Sequence, residues 1–229
     1  MLMKTAIRVG STRYQPALHH GAPPICDFAF VDAIERMGFT SSYPLNTEIY
    51  GEEEPAEYLY KVVSGAVRTY RILENGRRQI AAFYVPGDVF GLETRDEHAL
   101  SAESISQSKL LLVKRRDLVA LASQDNVVAR LLWTITATEL RRVQDHILLF
   151  AMSAEQRVAG FLMEMARRLS ADDEVKLPMA RRDIADYLGL TIETVSRSLS
   201  HLESTAAIKI PTSRRIQFRD YAALGRLSA

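Results

Sequence analysis

The chain has 229 residues, of which 47% are apolar and 25% are charged. This length and balance predict a globular protein with two domains and exclude a disordered or fibrous chain. No stretch approaches the roughly 18 consecutive apolar residues of a membrane span, and the first thirty residues lack the apolar core of a signal peptide. We therefore expect a cytoplasmic protein with no membrane partner.

The net charge of +1 is unevenly distributed along the chain. Residues 176–229 hold nine basic and five acidic residues, a net charge of +4, which leaves −3 for the rest. A basic C-terminal part is typical of a protein that binds nucleic acid there, because lysine and arginine neutralise phosphates.

Residues 1–27 contain two glycines and three prolines, which predict a loose N-terminal arm. The chain has one cysteine, Cys26, which excludes an internal disulfide framework. An iron–sulfur cluster normally takes about four thiolates, so no such cofactor is expected. Cys26 is a candidate redox-sensitive thiol, although a lone cysteine is more often inert.

Residues 28–124 are rich in short segments with the patterns of β-strands. Turn sequences separate them, among them Glu74-Asn75-Gly76 and Pro86-Gly87-Asp88. Strands at this regular spacing predict a sandwich or a jelly roll, with strands at 47–50, 58–63, 66–73, 79–85, 102–106 and 109–113.

An enzyme of the cupin type is the alternative use of such a roll. Metal-dependent cupins need clustered histidine and carboxylate ligands, whereas only one of the five histidines, His98, lies in this region. No nucleophile–base arrangement stands out either. We expect His98 to be a solvated loop residue and the protein to be neither an enzyme nor a metal-binding protein.

Residues 125–151 contain neither proline nor glycine, and their apolar residues recur close to the helical period. A helix of this length measures about 40 Å and offers more apolar surface than one domain covers. We predict a coiled coil with a second copy of the chain, the alternative being a helix packed within its own chain. The predicted dimer contacts are Val128, Leu132, Ile135, Val143, Ile147 and Phe150.

The region from 152 to 229 opens with a predicted helix N-terminus, at which Ser153 and Gln156 form a capping box. From Ala180 to Ser204 the sequence predicts two short helices joined by a tight turn. Gly189 tolerates the positive φ of a helix end, and Thr191 supplies the N-cap of the second helix. This is the pattern of a helix-turn-helix.

The second of these helices has two distinct faces. Val195, Leu199 and Leu202 form its buried stripe. Another face holds a carboxylate, two hydroxyls and a guanidinium, groups that can reach base edges in the major groove of DNA. These residues are Glu193, Ser196, Arg197 and Ser200. The alternative for Glu193 and Arg197 is a plain surface ion pair.

After this helix, residues 208–218 predict a β-hairpin, the wing of a winged helix. Arg214 and Arg215 near its tip suit contacts with phosphates, which position a protein on DNA without specifying sequence.

The stretch from Arg182 to Arg197 resembles the DNA-binding helices of the CRP/FNR superfamily of bacterial transcription regulators. The Glu193-x-x-Ser196-Arg197 triplet is similar to the FNR and FixK branch. The Asn-Gly and Pro-Gly-Asp turns resemble landmarks of the cyclic-nucleotide-binding roll. The resemblance implies an α+β protein with a jelly-roll β-roll (28–124), a dimerisation helix (125–151) and a C-terminal winged helix-turn-helix (152–229).

The resemblance also implies a function. A homodimer would bind a palindromic TTGAT-N4-ATCAA-like site, with Glu193 and Arg197 reading the C·G pair and Ser196 touching a neighbouring thymine. It would activate genes of microaerobic or nitrogen metabolism, such as nitrogen fixation, through contacts with RNA polymerase. The candidates for contacts with the DNA backbone are Arg181, Arg182, Thr191, Thr194, Ser200, Arg214 and Arg215.

Two positions depart from the family's patterns. Where a nucleotide-binding roll has a Gly-Glu pair and an Arg-Ser pair, this chain has Gly91-Leu92 and Leu100-Ser101, so cyclic AMP binding is not expected. Where the family has a glycine leading into the wing, this chain has Ala206 and Ala207, which implies a local adjustment. A regulator of the same fold that is gated by another small molecule in the roll is the alternative.

Overall fold

The structure is a computed structural model that describes residues 37–171 and 173–227, so the predicted arm and Cys26 lie outside the described residues. Its N-terminal half is a β-roll of eight antiparallel strands. They are β1 (Phe39–Tyr43), β2 (Glu48–Tyr50), β3 (Tyr58–Ser64), β4 (Val67–Ile72), β5 (Arg78–Tyr84), β6 (Val89–Phe90), β7 (Ser101–Ser104) and β8 (Ser108–Lys114).

The strands form two four-stranded sheets, with the orders β1-β8-β3-β6 and β2-β7-β4-β5. Consecutive strands such as β2 and β3 lie in different sheets, which gives the predicted jelly-roll arrangement. Gly76 and Gly87 have φ values of 76° and 96°, a conformation that favours glycine, so both predicted turns are confirmed. The short strands β1 and β6 were not predicted, because neither has a distinctive apolar pattern.

Two helices follow the roll, α1 (Arg115–Ala122) and α2 (Asn126–Leu149). The side chain of Asp125 caps α2 by accepting a hydrogen bond of 2.7 Å from the backbone N–H of Val127. The predicted long helix is therefore present. Its first half packs on the roll in an apolar cluster that contains Leu59, Leu111, Val113, Leu118, Val128, Leu131 and Ile135.

The winged domain (residues 154–227) completes the described chain. Its helices are α3 (Ala154–Arg168), α4 (Arg181–Leu188), α5 (Ile192–Ser204) and α6 (Tyr221–Leu227). Its small sheet has the order β10-β11-β9, with β9 (Glu174–Lys176), β10 (Ile208–Thr212) and β11 (Arg215–Phe218). The capping box predicted at the start of α3 is present, since Ser153 and Gln156 each bond the other's backbone N–H.

The core of the winged domain continues into the roll. Val158, Phe161, Leu162 and Met165 of α3 are fully buried, and they share one cluster with residues of β5. The ring of Phe83 on β5 lies 6.1 Å from that of Phe161 and 5.2 Å from that of Tyr187 on α4. The two parts of the chain are thus packed against each other.

Candidate DNA-binding surface

The turn between α4 and α5 is built around Gly189. This glycine has φ 65°, and its backbone N–H bonds the carbonyl of Ala185. A Cβ added here would lie 2.9 Å from a ring carbon of Phe150. Both the backbone conformation and the crowding therefore require glycine. The turn fixes the angle at which α5 leaves α4.

Helix α5 begins at an N-cap formed by Thr191. The hydroxyl oxygen of Thr191 accepts a hydrogen bond of 3.2 Å from the backbone N–H of Thr194. On the inner face, Val195, Leu199 and Leu202 are at most 2% exposed, which confirms the predicted buried stripe. The opposite face of α5 is therefore left to solvent.

That outer face carries the residues predicted to read bases. Glu193 and Arg197 are exposed and Ser196 is half-buried. The pKa of Glu193 is lowered by a hydrogen bond from its own backbone N–H, then by the hydroxyl of Thr191, with a further contribution from the charge of Arg197. Glu193 thus stays a carboxylate that accepts hydrogen bonds, as recognition of a cytosine amino group requires.

Ser196 contacts Arg181, which the sequence predicts only as a phosphate contact. The Nη1 of Arg181 lies 3.4 Å from the Oγ of Ser196, and Arg181 is half-buried. A guanidinium only donates, so the serine oxygen accepts and its proton stays available for a base or phosphate acceptor. Arg181 therefore contacts the face that would meet the base edges.

The other predicted backbone contacts surround this face. Arg182 and Ser200 are exposed. The hydroxyls of Thr191 and Thr194 lie 3.0 Å apart, so the cap of α5 holds both. A phosphate at this helix N-terminus would meet these hydroxyls and the positive end of the helix dipole.

The wing holds its two arginines less freely than the sequence suggests. Arg215 pairs with Glu174 on β9, with 2.8 Å between Nε and Oε1. Arg214 donates a hydrogen bond of 3.1 Å to the carbonyl oxygen of Pro178. Both side chains remain exposed. A phosphate contact by Arg215 would compete with its ion pair.

Ala206 shows the adjustment expected ahead of the wing. Its φ is 57°, in the left-handed region that favours glycine. This conformation lets the backbone N–H of Ala207 bond the carbonyl of Leu202 at the end of α5. The chain therefore forms the usual C-terminal cap of a helix, but with an alanine, which is strained in this conformation.

Comparisons with known proteins assign this architecture to a family. Residues 156–227 match the model of the Crp-like helix-turn-helix domain, and residues 40–125 match that of the cyclic nucleotide-binding domain. The nitrogen fixation regulation protein FixK of Azorhizobium caulinodans is 45% identical over 202 residues, which cover 86% of this chain and 82% of that protein. The chain belongs to the CRP/FNR family of transcription regulators and is FixK-like.

Two further FixK proteins support the assignment. That of Rhizobium meliloti is 37% identical over 188 residues, 82% of this chain and 86% of that protein. The solved structure of FixK2 from Bradyrhizobium japonicum superposes with a TM-score of 0.81 at 52% identity, and covers 84% of this chain and 98% of that one. Membership of this family shows that the chain is a DNA-binding transcription regulator.

At the positions of the nucleotide motif, the residues of this chain contact the protein itself. Leu92 packs on the apolar cluster between the roll and the helices. The hydroxyl of Ser101 accepts a hydrogen bond of 3.0 Å from the backbone N–H of Glu52. Gly91 has φ 80°, and a Cβ there would lie 2.9 Å from the carbonyl oxygen of Tyr58. Leu92 and Ser101 are thus held by the protein itself.

His98 differs from its prediction, because it is buried. Its side chain is 1% exposed, and its ring stacks on Tyr50 with 3.5 Å between centroids. Its Nδ1 lies 3.2 Å from an oxygen of Glu93. Stacked rings of Tyr60, Tyr84 and Phe90 continue this cluster. The aromatic cluster explains the burial, because the His98 ring gains stacking contacts there.

The long helix also requires a correction. Val128 and Ile135 were predicted to contact a second copy, but they are 2% and 8% exposed against their own roll, and Leu132 is half-buried beside them. In this first half of α2 the alternative, packing within the chain, is the observed one. The other three predicted dimer contacts, Val143, Ile147 and Phe150, are exposed and stay predictions. Further apolar residues of the same segment are also exposed but were not predicted as contacts: Val127, Trp133, Leu140 and Leu148.

The sequence held a signal for this exposed stripe. Trp133, Leu140 and Ile147 are seven residues apart, as are Val143 and Phe150. Seven-residue spacing is the coiled-coil repeat, whereas the predicted set followed a looser helical period. Phe150 is shared between two roles, because it also packs against Gly189 and lies 5.4 Å from the guanidinium of Arg157.

Among the helices described, none is long and apolar enough to cross a membrane. Within residues 37–171 and 173–227, no three His, Cys, Asp or Glu side chains form a group that could hold a metal ion.

Proposed function

We propose that the protein acts as a homodimer that binds a palindromic TTGAT-N4-ATCAA-like site without cyclic AMP or an iron–sulfur cluster. Two α5 helices related by the dimer axis would enter successive major grooves about 10 bp apart. Glu193 and Arg197 would read the C·G pair of each half-site, and Ser196 would contact the neighbouring thymine.

The observation that carries this proposal is the free outer face of α5. Glu193 and Arg197 are exposed at its amino-terminal end, beside a half-buried Ser196, and no other part of the described chain covers them. The carboxylate of Glu193 can accept a hydrogen bond from the amino group of cytosine, and the guanidinium of Arg197 can donate two to O6 and N7 of guanine. Their spacing of one helical turn suits the two bases of a C·G pair. Arg182 and Ser200 flank this face and would meet phosphates.

The exposed stripe of α2 supports the homodimer. Trp133, Leu140 and Ile147 are 75%, 58% and 62% exposed. A row of exposed apolar side chains on one helix is typical of a protein–protein interface. Their seven-residue spacing suits the seam of a parallel two-stranded coiled coil, completed by Val143. A second copy of the chain would cover the same residues, because a two-fold interface is self-complementary.

Independence from cyclic AMP is supported by the residues at the nucleotide motif. A cyclic phosphate buried in this roll would meet Leu100 in place of an arginine, which leaves a charge without a partner. Inside the roll, the rings of Tyr50, Tyr60, Tyr84 and Phe90 pack against one another.

We infer the physiological role from the relatives. The FixK relatives are nitrogen fixation regulation proteins, so this chain would activate genes of nitrogen or microaerobic metabolism in the cytoplasm. RNA polymerase would be its protein partner at such promoters.

Fluorescence anisotropy of a labelled TTGAT-N4-ATCAA duplex tests the proposal. The measurement is made in air at stated salt, against a scrambled duplex, with and without cyclic AMP. We expect tight, sequence-dependent binding that cyclic AMP leaves unchanged. Binding that requires cyclic AMP would overturn the interpretation of Leu92 and Leu100. No preference over the scrambled duplex in any condition would contradict the assigned half-site.

A further inference from the structure

We infer that Arg68 and Arg78 of the β-roll are positioning residues for DNA binding. Through Asp183 and Asp186 of α4 they hold the winged domain in one orientation on the roll. We call these four residues the arginine–aspartate clamp. The inference rests on the proposed function, since it explains how a dimer without an effector presents two α5 helices at a fixed separation.

The clamp joins residues more than 100 positions apart in the chain. Arg68 on β4 contacts Asp183 with 2.7 Å between Nη1 and Oδ1. Arg78 on β5 contacts the same oxygen at 2.6 Å and Oδ2 of Asp186 at 2.9 Å. Next to it, the amide nitrogen of Gln79 donates to the backbone carbonyl of Asp186.

The clamp is shielded from water. The side chains of Arg68 and Asp183 are 9% and 8% exposed, and those of Arg78 and Asp186 are 21% and 22% exposed. Arg68 is also held from the roll side by Glu103 at 2.7 Å. Removing one member of a buried ion pair leaves the other charge unpaired, so such contacts hold a geometry firmly even when their net stabilisation is small.

Asp183 links the clamp to the start of the helix-turn-helix. Its second oxygen accepts a hydrogen bond of 3.1 Å from the backbone N–H of Ala180, which caps α4. The next residues along the chain, Arg181 and Arg182, are the candidate phosphate contacts. The clamp therefore acts at the end of α4 that would meet DNA.

Two ring contacts of Tyr187 fix the other end of α4. Tyr187 packs against Phe83 of β5 and stacks on His146 of α2 with 3.9 Å between ring centroids. Since Gly189 sets the angle between α4 and α5, the orientation of α5 follows from that of α4. Glu193 and Arg197 stay exposed in this docked arrangement. The clamp thus presents the base-reading face and does not cover it.

A fixed orientation has a measurable consequence in a dimer. Two docked winged domains hold their α5 helices at one separation, so the dimer should bind one spacer length far better than another. Without the clamp, only the shared apolar core and the ring contacts of Tyr187 would hold the winged domain on the roll, so its orientation would vary more and a longer spacer would be better tolerated. The readout is the ratio of affinities for TTGAT-N4-ATCAA and TTGAT-N6-ATCAA duplexes. A general loss of stability would lower both affinities and leave the ratio unchanged.

The test compares the wild type with Arg78→Gln and with Arg78→Lys. We expect Arg78→Gln to reduce the spacer ratio about fivefold or more, the lower bound of a typical coupling between sites. Arg78→Lys keeps the positive charge and should recover most of the ratio. Arg71→Gln is the matched control, because Arg71 also lies on the roll but pairs with Glu52 at a half-exposed position away from α4.

Small-angle X-ray scattering of the DNA-free dimers supplies a second readout. We expect a larger radius of gyration for Arg78→Gln than for the wild type or Arg71→Gln, at unchanged dimer mass. A spacer ratio and a radius that both stay at wild-type values would overturn the clamp. If the wild type showed no sequence preference, the proposed function would fail, and the radius alone would decide: expansion would support the clamp, and no change would refute it.

Discussion

At the residue scale, Ala206 is a position where this chain departs from its family in a way that the backbone reveals. Its φ of 57° costs a side-chain-bearing residue about 1–2 kcal/mol relative to the right-handed region. The substitution of alanine for glycine was visible in the sequence. The conformation was not, because a chain can also avoid such strain by rearranging the loop.

Ala206→Gly should therefore stabilise the protein. The relief of strain exceeds the extra backbone entropy that glycine gives the unfolded chain, which leaves about 0.5–1 kcal/mol of added stability. Chemical denaturation followed by circular dichroism measures the change. Ala207→Gly is the matched control, since Ala207 is 2% exposed without a positive φ. It should destabilise, and an equal gain in both variants would refute the explanation.

His146 gives the contact between α2 and α4 a dependence on pH. Burial lowers its pKa, against the opposing effects of the carbonyl of Tyr187, which it contacts at 3.0 Å, and of the charge on Glu164. A histidine with a lowered pKa binds protons more readily when the protein is unfolded. Its contribution to stability is therefore present above the ordinary histidine pKa of about 6.5 and is lost as the pH falls.

We expect the melting temperature of the wild type to fall between pH 7.5 and pH 5.5 by more than that of His146→Gln. Glutamine can still hydrogen-bond but does not take up a proton in this range. Thermal unfolding of both proteins in matched buffers measures the difference. Equal losses would mean that other groups account for the pH dependence.

At the element scale, α2 shows what a hydrophobic period can and cannot predict. The predicted helix in residues 125–151 is present, but three of its six predicted dimer contacts, Val128, Leu132 and Ile135, pack on the chain's own roll. Which contact each one makes was not predictable, because the period does not say which face the chain's own roll covers. Val128 and Ile135 face the roll, whereas Leu140 and Ile147 face outward.

Leu140→Glu should dissociate the proposed dimer. A carboxylate in the middle of the seam would be buried opposite its own copy, at a cost of several kcal/mol for each unpaired charge. Sedimentation velocity measures the mass. Val127→Glu is the control, because Val127 is 49% exposed on the same helix but off the seven-residue stripe. A dimer that survives Leu140→Glu would contradict the seam.

Trp133, the only tryptophan of the chain, should show a red-shifted emission in the monomer.

The helix-turn-helix was the most predictable element. Its glycine, its N-cap threonine and its buried stripe all act over a few residues, and local rules describe such features well. Six of the eight strands of the roll were predicted for the same reason, with ends shifted by one or two residues. The short strands and α6 carry weak local patterns and depend on their neighbours for stability.

At the scale of the whole molecule, the contact between roll and winged domain had no signal in the sequence. Arg68 and Asp183 look like ordinary surface charges until the fold brings them within 2.7 Å. The same holds for Phe83 and Tyr187, which join the two parts into one core. The chain's domains were predictable separately, and their arrangement came only from the structure. In the proposed dimer, this arrangement would set the spacing between the two DNA-binding units.

We propose that Glu193, Ser196 and Arg197 read bases at the outer face of α5. The most direct test is a cycle of affinities between two proteins and two duplexes. The proteins are the wild type and Arg197→Ala, and the duplexes are TTGAT-N4-ATCAA and its version with both C·G pairs replaced by T·A. Anisotropy at fixed salt gives the four dissociation constants. Arg182→Ala, at an exposed position expected to meet phosphate, is the control.

We predict that Arg197→Ala loses about 1–3 kcal/mol on the original duplex and little on the substituted one, so that its preference for the C·G pair disappears. Arg182→Ala should weaken both duplexes alike. A uniform loss for Arg197→Ala would make this residue a phosphate contact and would contradict the account of base reading.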